Sequence, residues 1–329
     1  MRFYYILVFI SLFFNISSSF NIRTTSYNDF IRFFNKKVWE RNIPKRELGT
    51  GACGKVIEAN DTVRNRRVAI KFELMKSPGD KSCFSSYLNE IQVYENIQGG
   101  EGIPKMLAKK VVIDLKQNKW SMIVLEKLGR DLESLFREKK YYFSTVKVVN
   151  LAMQMINRIE YLHKKKYIHR DIKPGNFLMG RGATRYTLYL SDFGFTIRYD
   201  PNINKYEEKQ SFIGTIDYAS INAHYGISQS RRDDLESIGY VLMYFMTGTL
   251  PWKIFSSLPY EERMRKIKYS KKKTPVKDMC KKCPEEFHTY LVYCKGLRFD
   301  EEPDYRYLYK LFKRLYDRLN IKIENPEML

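Results

Sequence analysis

Cysteine is sparse and odd in number. Cys53, Cys83, Cys280, Cys283 and Cys294 are scattered along 329 positions, which is not the pattern of a disulfide framework. Cys280 and Cys283 have half of a zinc-site spacing. No second pair completes it and His288 is the only histidine nearby, so reduced thiols are expected. Long apolar runs are absent after the first fourteen residues, so no internal stretch is long enough to span a bilayer. There is no internal repeat and no low-complexity tail. Acidic residues are in deficit: 37 against 58 basic ones leave a formal charge of +21. Such a charge attracts nucleotide phosphates, acidic peptides, nucleic acid or a membrane surface, or serves only as a solubilising lysine coat. Charge alone selects no partner, and no dedicated nucleic-acid motif accompanies it.

Core-building residues are plentiful: an apolar fraction of 44% and aromatics at 15% argue against disorder. The N-terminus is distinct. Arg2, the apolar run Tyr4 to Phe14 and the exit Asn15-Ile16-Ser17-Ser18-Ser19 have the layout of a secretory signal peptide over 1–19. An amphipathic extension packed on the folded domain is the alternative. Residues 20–41 read as a linker or short helix. From Pro44 to Glu73 the pattern is β-like, with a turn expected at Asn60-Asp61-Thr62, itself a glycosylation sequon. Phe84, Tyr87, Leu88, Ile91 and Tyr94 recur at helical spacing, and Val111–Leu115 and Trp120–Leu125 are further strand candidates. After Gly129 helices dominate: Leu132–Arg137, Val146–Lys164, a nearly all-apolar Leu235–Phe245, and a terminal one through Leu308, Leu311, Phe312 and Leu315. A strand-rich first third joined to a helical remainder predicts an α+β fold of two lobes, 42–126 and 127–320, with a short end at 321–329.

Three motifs carry chemistry. Gly49-x-Gly51-x-x-Gly54-x-Val56 lies between two strand candidates rather than opening a helix, which suits a phosphate-covering hairpin as well as an ordinary glycine turn. Fifteen residues on, Lys71 ends the apolar strand Val68-Ala69-Ile70, and Glu90 on the next helix is its candidate partner. The decisive stretch is His169-Arg170-Asp171-Ile172-Lys173-Pro174-Gly175-Asn176, followed sixteen residues later by Asp192-Phe193-Gly194. That spacing fits phosphoryl transfer: Asp171 as acceptor of a hydroxyl proton, Lys173 as a cation near the transferred group, and Asn176 and Asp192 as oxygen donors to Mg²⁺.

At these residues the chain resembles the casein kinase I family of Ser/Thr protein kinases over about 42–320. The resemblance extends to Gln98–Pro104, Gly214–Asn222, Ser230–Tyr240, Leu297–Asp300 and Pro303–Tyr305, with Ala219-Ser220-Ile221-Asn222 standing where most kinases have Ala-Pro-Glu. It implies a two-lobed protein kinase fold, an ATP- and Mg²⁺-dependent activity, and protein substrates, acidic ones among them. It implies ATP contacts at Leu48, Gly49, Gly51, Gly54, Val56, Ala69, Lys71, Glu90, Glu126 and Leu128, with Leu125 as gatekeeper. Asp234 matches a buried aspartate that holds the catalytic loop, and Asp233 an exposed helix cap. Candidate substrate-anion groups are Arg198, Arg231, Lys271 and Lys272. Two departures stand out: Asp200 and Asp217 occupy positions where the family carries cations, so repulsion of a phosphate beside the docking site is expected. A monomer is expected, and with the chain ending at Leu329 tail-based autoinhibition is not. The leader points to the secretory pathway, whereas unpaired cysteines and a need for cytosolic ATP favour cytoplasm or nucleus. A pseudokinase-like binding scaffold is the alternative function.

Overall fold

The fold is that of a computed structural model that describes residues 25–34, 36–50, 54–75 and 84–319, with 84–88 as backbone only. The leader 1–19, the loop glycine Gly51, Cys53, Cys83 and the end 320–329 lie outside the described residues. The described residues divide into two compact units: those up to Phe84 with Leu107–Lys127, and Ser85–Met106 with those from Leu128 on.

In the first unit, Ser26 caps α1 (Tyr27–Arg32) by accepting from the Asp29 amide. A second short helix, α2 (Lys36–Trp39), follows. Three strands come next, β1 (Asn42–Thr50), β2 (Gly54–Asp61) and β3 (Arg66–Leu74), each antiparallel to the one before. Of the two readings of 20–41, a linker or a short helix, these described residues take the helical one. Phe30 on α1, Phe34 between the helices and Val38 on α2 are all buried with Phe72 and Trp120. Phe30 meets Phe72 and Trp120 edge-to-face at 5.6 and 5.5 Å between ring centres. We expect Phe30→Ala to lower stability by about 3–5 kcal/mol. Urea unfolding measures this, and a loss below about 1 kcal/mol would remove α1 from the core.

The β2–β3 reversal also differs from expectation. Asn60 remains in the strand, paired with Ile43 and Arg67, and the turn falls on residues 62–65. Asp61 places it there: its carboxylate accepts from the Val63 and Arg64 amides and pairs with Arg41.

After β3 the chain forms α3 (Phe84–Ile97), then β4 (Met106–Ile113) and β5 (Lys119–Glu126), completing a sheet of order β1-β2-β3-β5-β4. Residues Ser85–Ile97 of α3 group with the second compact unit. There Tyr94 packs edge-on against Phe193 at 4.9 Å, Asn96 donates to the Tyr167 hydroxyl, and Asn89 donates to the Thr196 carbonyl.

The second unit continues with α4 (Leu132–Glu138) and the long α5 (Thr145–Lys164). The short strands β6 (Tyr167–Ile168), β7 (Phe177–Met179), β8 (Leu188–Leu190) and β9 (Ile197–Arg198) pair as β6 with β9 and β7 with β8. These two ribbons frame the loops that carry the motifs. Helices α6 (Ile221–His224), α7 (Arg231–Thr247), α8 (Tyr260–Lys273), α9 (Val276–Met279), α10 (Glu285–Gly296) and α11 (Tyr305–Arg318) complete it. Residues Asp233 to Phe245 of α7 are all buried, which fits the nearly all-apolar stretch Leu235–Phe245 and takes Asp233, Asp234 and Glu236 inside with it. Among the described residues no helix is long and apolar enough to cross a membrane.

Candidate active site

In the second unit the site is organised by one buried carboxylate. Asp234, in the first turn of α7 and 2% exposed, accepts the His169 amide at 2.7 Å and the Arg170 amide at 2.9 Å. Its Oδ2 also meets His163 Nε2 at 2.9 Å. Burial alone would raise the Asp234 pKa, but the His163 contact and the amide bond hold it down. Burial lowers the His163 pKa, which favours the neutral ring. Its Nε2–H then donates to Asp234, and its Nδ1 accepts the Tyr305 hydroxyl at 2.7 Å. Three helices, α5, α7 and α11, thus fix the backbone of the loop.

With its amides held, the chain turns at Arg170 through a left-handed conformation, φ 67°. Arg170 Nε donates to the Phe195 carbonyl at 2.7 Å, and burial lowers its guanidinium to about 10. Asp171 follows, 3% exposed, with three donors converging on its side chain. Lys173 Nζ reaches Oδ2 at 2.5 Å, Thr215 Oγ1 donates to Oδ1 at 2.6 Å, and the Asn176 amide lies 3.3 Å from Oδ2. The same amide donates to the Asp171 carbonyl at 2.8 Å, which directs the other end of the Asn176 side chain, its oxygen, away from Asp171. The Ser191 amide and hydroxyl both donate to the Asn176 carbonyl, at 2.9 and 3.0 Å. That pairing brings Asp192, the next residue, beside Asn176. Asp192 also has positive φ, 64°, and Phe193 after it is fully buried against Tyr94 and His169. A carboxylate and an amide oxygen on adjacent backbone are the hard donors that Mg²⁺ takes.

In the first unit, strand register gathers the other candidates. Gly49 pairs with Val56, Val56 with Lys71, and Ala69 with Leu125. Val56, Ala69 and Lys71 therefore share one face of the sheet. Lys71 Nζ lies 3.0 Å from the Glu73 carboxylate. Gly54 is needed sterically, because a β-carbon there would sit 2.0 Å from the Phe72 carbonyl oxygen; at Gly49 nothing would obstruct one. Leu48 is partly exposed on β1 and Glu126 is the last residue of β5. In the second unit Glu90 is buried on α3 and Leu128 is buried just past the strand.

The anion candidates do not form one site. Lys271 is 2% exposed and donates to the Ile216 and Ala219 carbonyls at 2.9 and 2.6 Å; burial lowers it to about 7. It is a buried tie, not a surface receptor, because α8 turns that position inward. Arg231 donates to the Asp300 carbonyl and lies over Tyr199, while Lys272 is exposed over Tyr225 and Arg198 is exposed on β9. Neither of the charges from which repulsion is expected, Asp200 and Asp217, is bare. Asp200 meets Lys166 at 2.6 Å, and Asp217 meets Lys253 and Arg263 at 2.8 and 2.9 Å. Asp233 is buried rather than an exposed cap. It accepts from Ser220, Asn222 and the Ser230 amide, and burial raises it to about 6. Cys280 and Cys283 pack on the Met243 sulfur, and burial raises their thiols to about 12 and 11.

Sequence reasoning missed Thr215, His163 and Tyr305 as parts of the site. Thr215 and Tyr305 lie within the family-like stretches Gly214–Asn222 and Pro303–Tyr305 without a role attached, and the only signal at His163 is a histidine on an otherwise apolar helix face eight residues before Asp171.

Comparison with known families matches residues 43–301 to the protein kinase domain. The chain belongs to that family, and its fold is the two-lobed α+β kinase fold. The domain implies ATP as phosphoryl donor, usually with Mg²⁺, and protein substrates.

Proposed function

We propose that this protein is an active Ser/Thr kinase of the casein kinase I type, with Asp171 as the base that takes the proton of the acceptor hydroxyl. The observation that carries the reading is the convergence on Asp171 of Lys173, Thr215 and Asn176, on a loop whose amides are held by Asp234. A carboxylate fixed in this way loses little entropy when a hydroxyl docks against it. Lys173, already 2.5 Å from Asp171, offsets charge on the transferring group. Asn176 and Asp192 would hold Mg²⁺, which when bound neutralises the phosphate charge. Lys71 is the candidate cation for the nucleotide phosphates. The backbone groups at Glu126 and Leu128 are the candidates for the adenine.

The casein kinase I type and Ser/Thr selectivity rest on the stretches 98–104, 214–222 and 230–240, several of whose residues have duties that support the resemblance. Thr215 donates to Asp171, Ser220 caps α6 and donates to Asp233, and Asp234 anchors the loop. The test is transfer of labelled γ-phosphate from ATP to casein, followed by phosphoamino-acid analysis. We expect phosphoserine and phosphothreonine, and loss of label with Asp192→Asn. Phosphotyrosine would overturn the selectivity. Label that survives Asp192→Asn would overturn the site, and no transfer by the wild type would leave the scaffold reading.

A further inference from the structure

The segment that brings Thr215 to Asp171 also carries an ion cluster for which the reaction has no use. Asp217 is two residues beyond Thr215 and only 4% exposed. Its carboxylate is shared by Lys253 Nζ at 2.8 Å and Arg263 Nη2 at 2.9 Å to both oxygens. The two cations come from different elements, the helical turn Pro251–Phe255 and α8, and their side chains stay 31% and 26% exposed. Burial alone would raise the Asp217 pKa, but Lys253 and Arg263 bring it below the usual carboxylate range.

The backbone around Asp217 has separate anchors. Trp252 Nε1 donates to the Asp217 carbonyl at 2.8 Å, and Lys271 holds the carbonyls of Ile216 and Ala219. Gly214, with φ 123° and room for no β-carbon against the Arg170 carbonyl, sets the entry to the segment. Lys253 also lies over the rings of Tyr218 and Tyr244, at 5.6 and 5.5 Å, so its position does not depend on the carboxylate alone. Two converging, partly exposed cations are a receptor for a carboxylate or phosphate. In this chain the receptor is filled from within.

We propose that Asp217 is a specificity-determining residue: an internal anion that occupies a two-cation site beside the acceptor segment, so that acidic or phosphorylated side chains flanking the target hydroxyl gain nothing there. This deepens the kinase reading above and rests on it. It differs from simple repulsion, because removing the carboxylate should create a binding site and not merely relieve a penalty.

The experiment has an arm that needs no catalysis. Thermal unfolding of wild type, Asp217→Ala and Asp217→Asn is followed with inorganic phosphate and with chloride at equal ionic strength. Phosphate should raise the unfolding temperature of the two variants beyond its effect on wild type. The triple change Asp217→Ala/Lys253→Gln/Arg263→Gln should lose that gain. In the second arm, peptides with Glu or phosphoserine placed at successive positions around a target Ser are phosphorylated. The wild type should show no anionic preference through this site, and Asp217→Asn should gain about tenfold in kcat/KM at one position, the scale of one charge-assisted hydrogen bond. Variants that fold but bind phosphate no better than wild type would overturn the proposal. If neither variant folds, the wild type still decides: an anionic preference that disappears in Lys253→Gln overturns it, and a flat profile unchanged by Lys253→Gln upholds it. Absence of any peptide phosphorylation would sink the kinase reading, while the phosphate arm would still report on the cluster.

Discussion

Asp171→Asn should lower kcat about a thousandfold, within the range ascribed to a positioned general base. The substitution keeps size and shape but removes the group that can take a proton. It also places an amide where Lys173 and Thr215 both donate, at 2.5 and 2.6 Å, so at least one of those bonds must break or turn. Asp171 is nearly buried, so water offers a poor substitute. The candidate nucleotide contacts in the first unit are untouched, and the KM for ATP should stay within about threefold of wild type. Steady-state kinetics with a protein substrate measures both. A fall in kcat below about tenfold would mean that proton removal by Asp171 is not part of the reaction.

The second large effect is expected at Asp234. Removing its carboxylate leaves the amides of His169 and Arg170 and the Nε2–H of His163 without an acceptor, all in a buried setting. Each such donor costs about 1–3 kcal/mol, and with partial relaxation of the three Asp234→Ala should destabilise the protein by at least about 3 kcal/mol. Where the protein still folds, activity should fall by at least about a hundredfold, because the loop carrying Asp171 loses its fixed position. Calorimetry and kinetics on the same preparation separate the two losses. A folded variant with wild-type activity would show that the loop is held by its side-chain contacts alone.

These two sites differ in how far they could be foreseen. Asp171, Lys173 and Asn176 lie within six positions, and their order carries the chemistry because the loop is short enough for local spacing to fix which groups can converge. Asp234 was marked only through resemblance, and its partner His163 was not marked at all. The bond joining them spans 71 positions. The same distance effect explains the corrections. Residues 20–41 left linker and short helix open because short helices show little periodicity; what buries Phe30 and Phe34 is packing with Phe72 and Trp120, far along the chain. The turn expected at Asn60 moved by two residues because the Asp61 carboxylate caps the amides that follow it.

Charge was the property least legible in one dimension. Lys271 stands in a run of three lysines that reads as a candidate anion site, but α8 turns it inward onto two carbonyls 55 and 52 positions away. Asp217 reads as a bare negative charge, but Lys253 and Arg263 meet it from 36 and 46 positions away. The sequence by itself determined the order of the reacting groups, the α+β division of the chain and the apolar faces of its longer helices, since all of these depend on near-neighbour spacing. Only the tertiary structure decided which charges are neutralised and which remain for a ligand. An ion pair between distant residues exists because packing brings two elements together, and no local pattern records it.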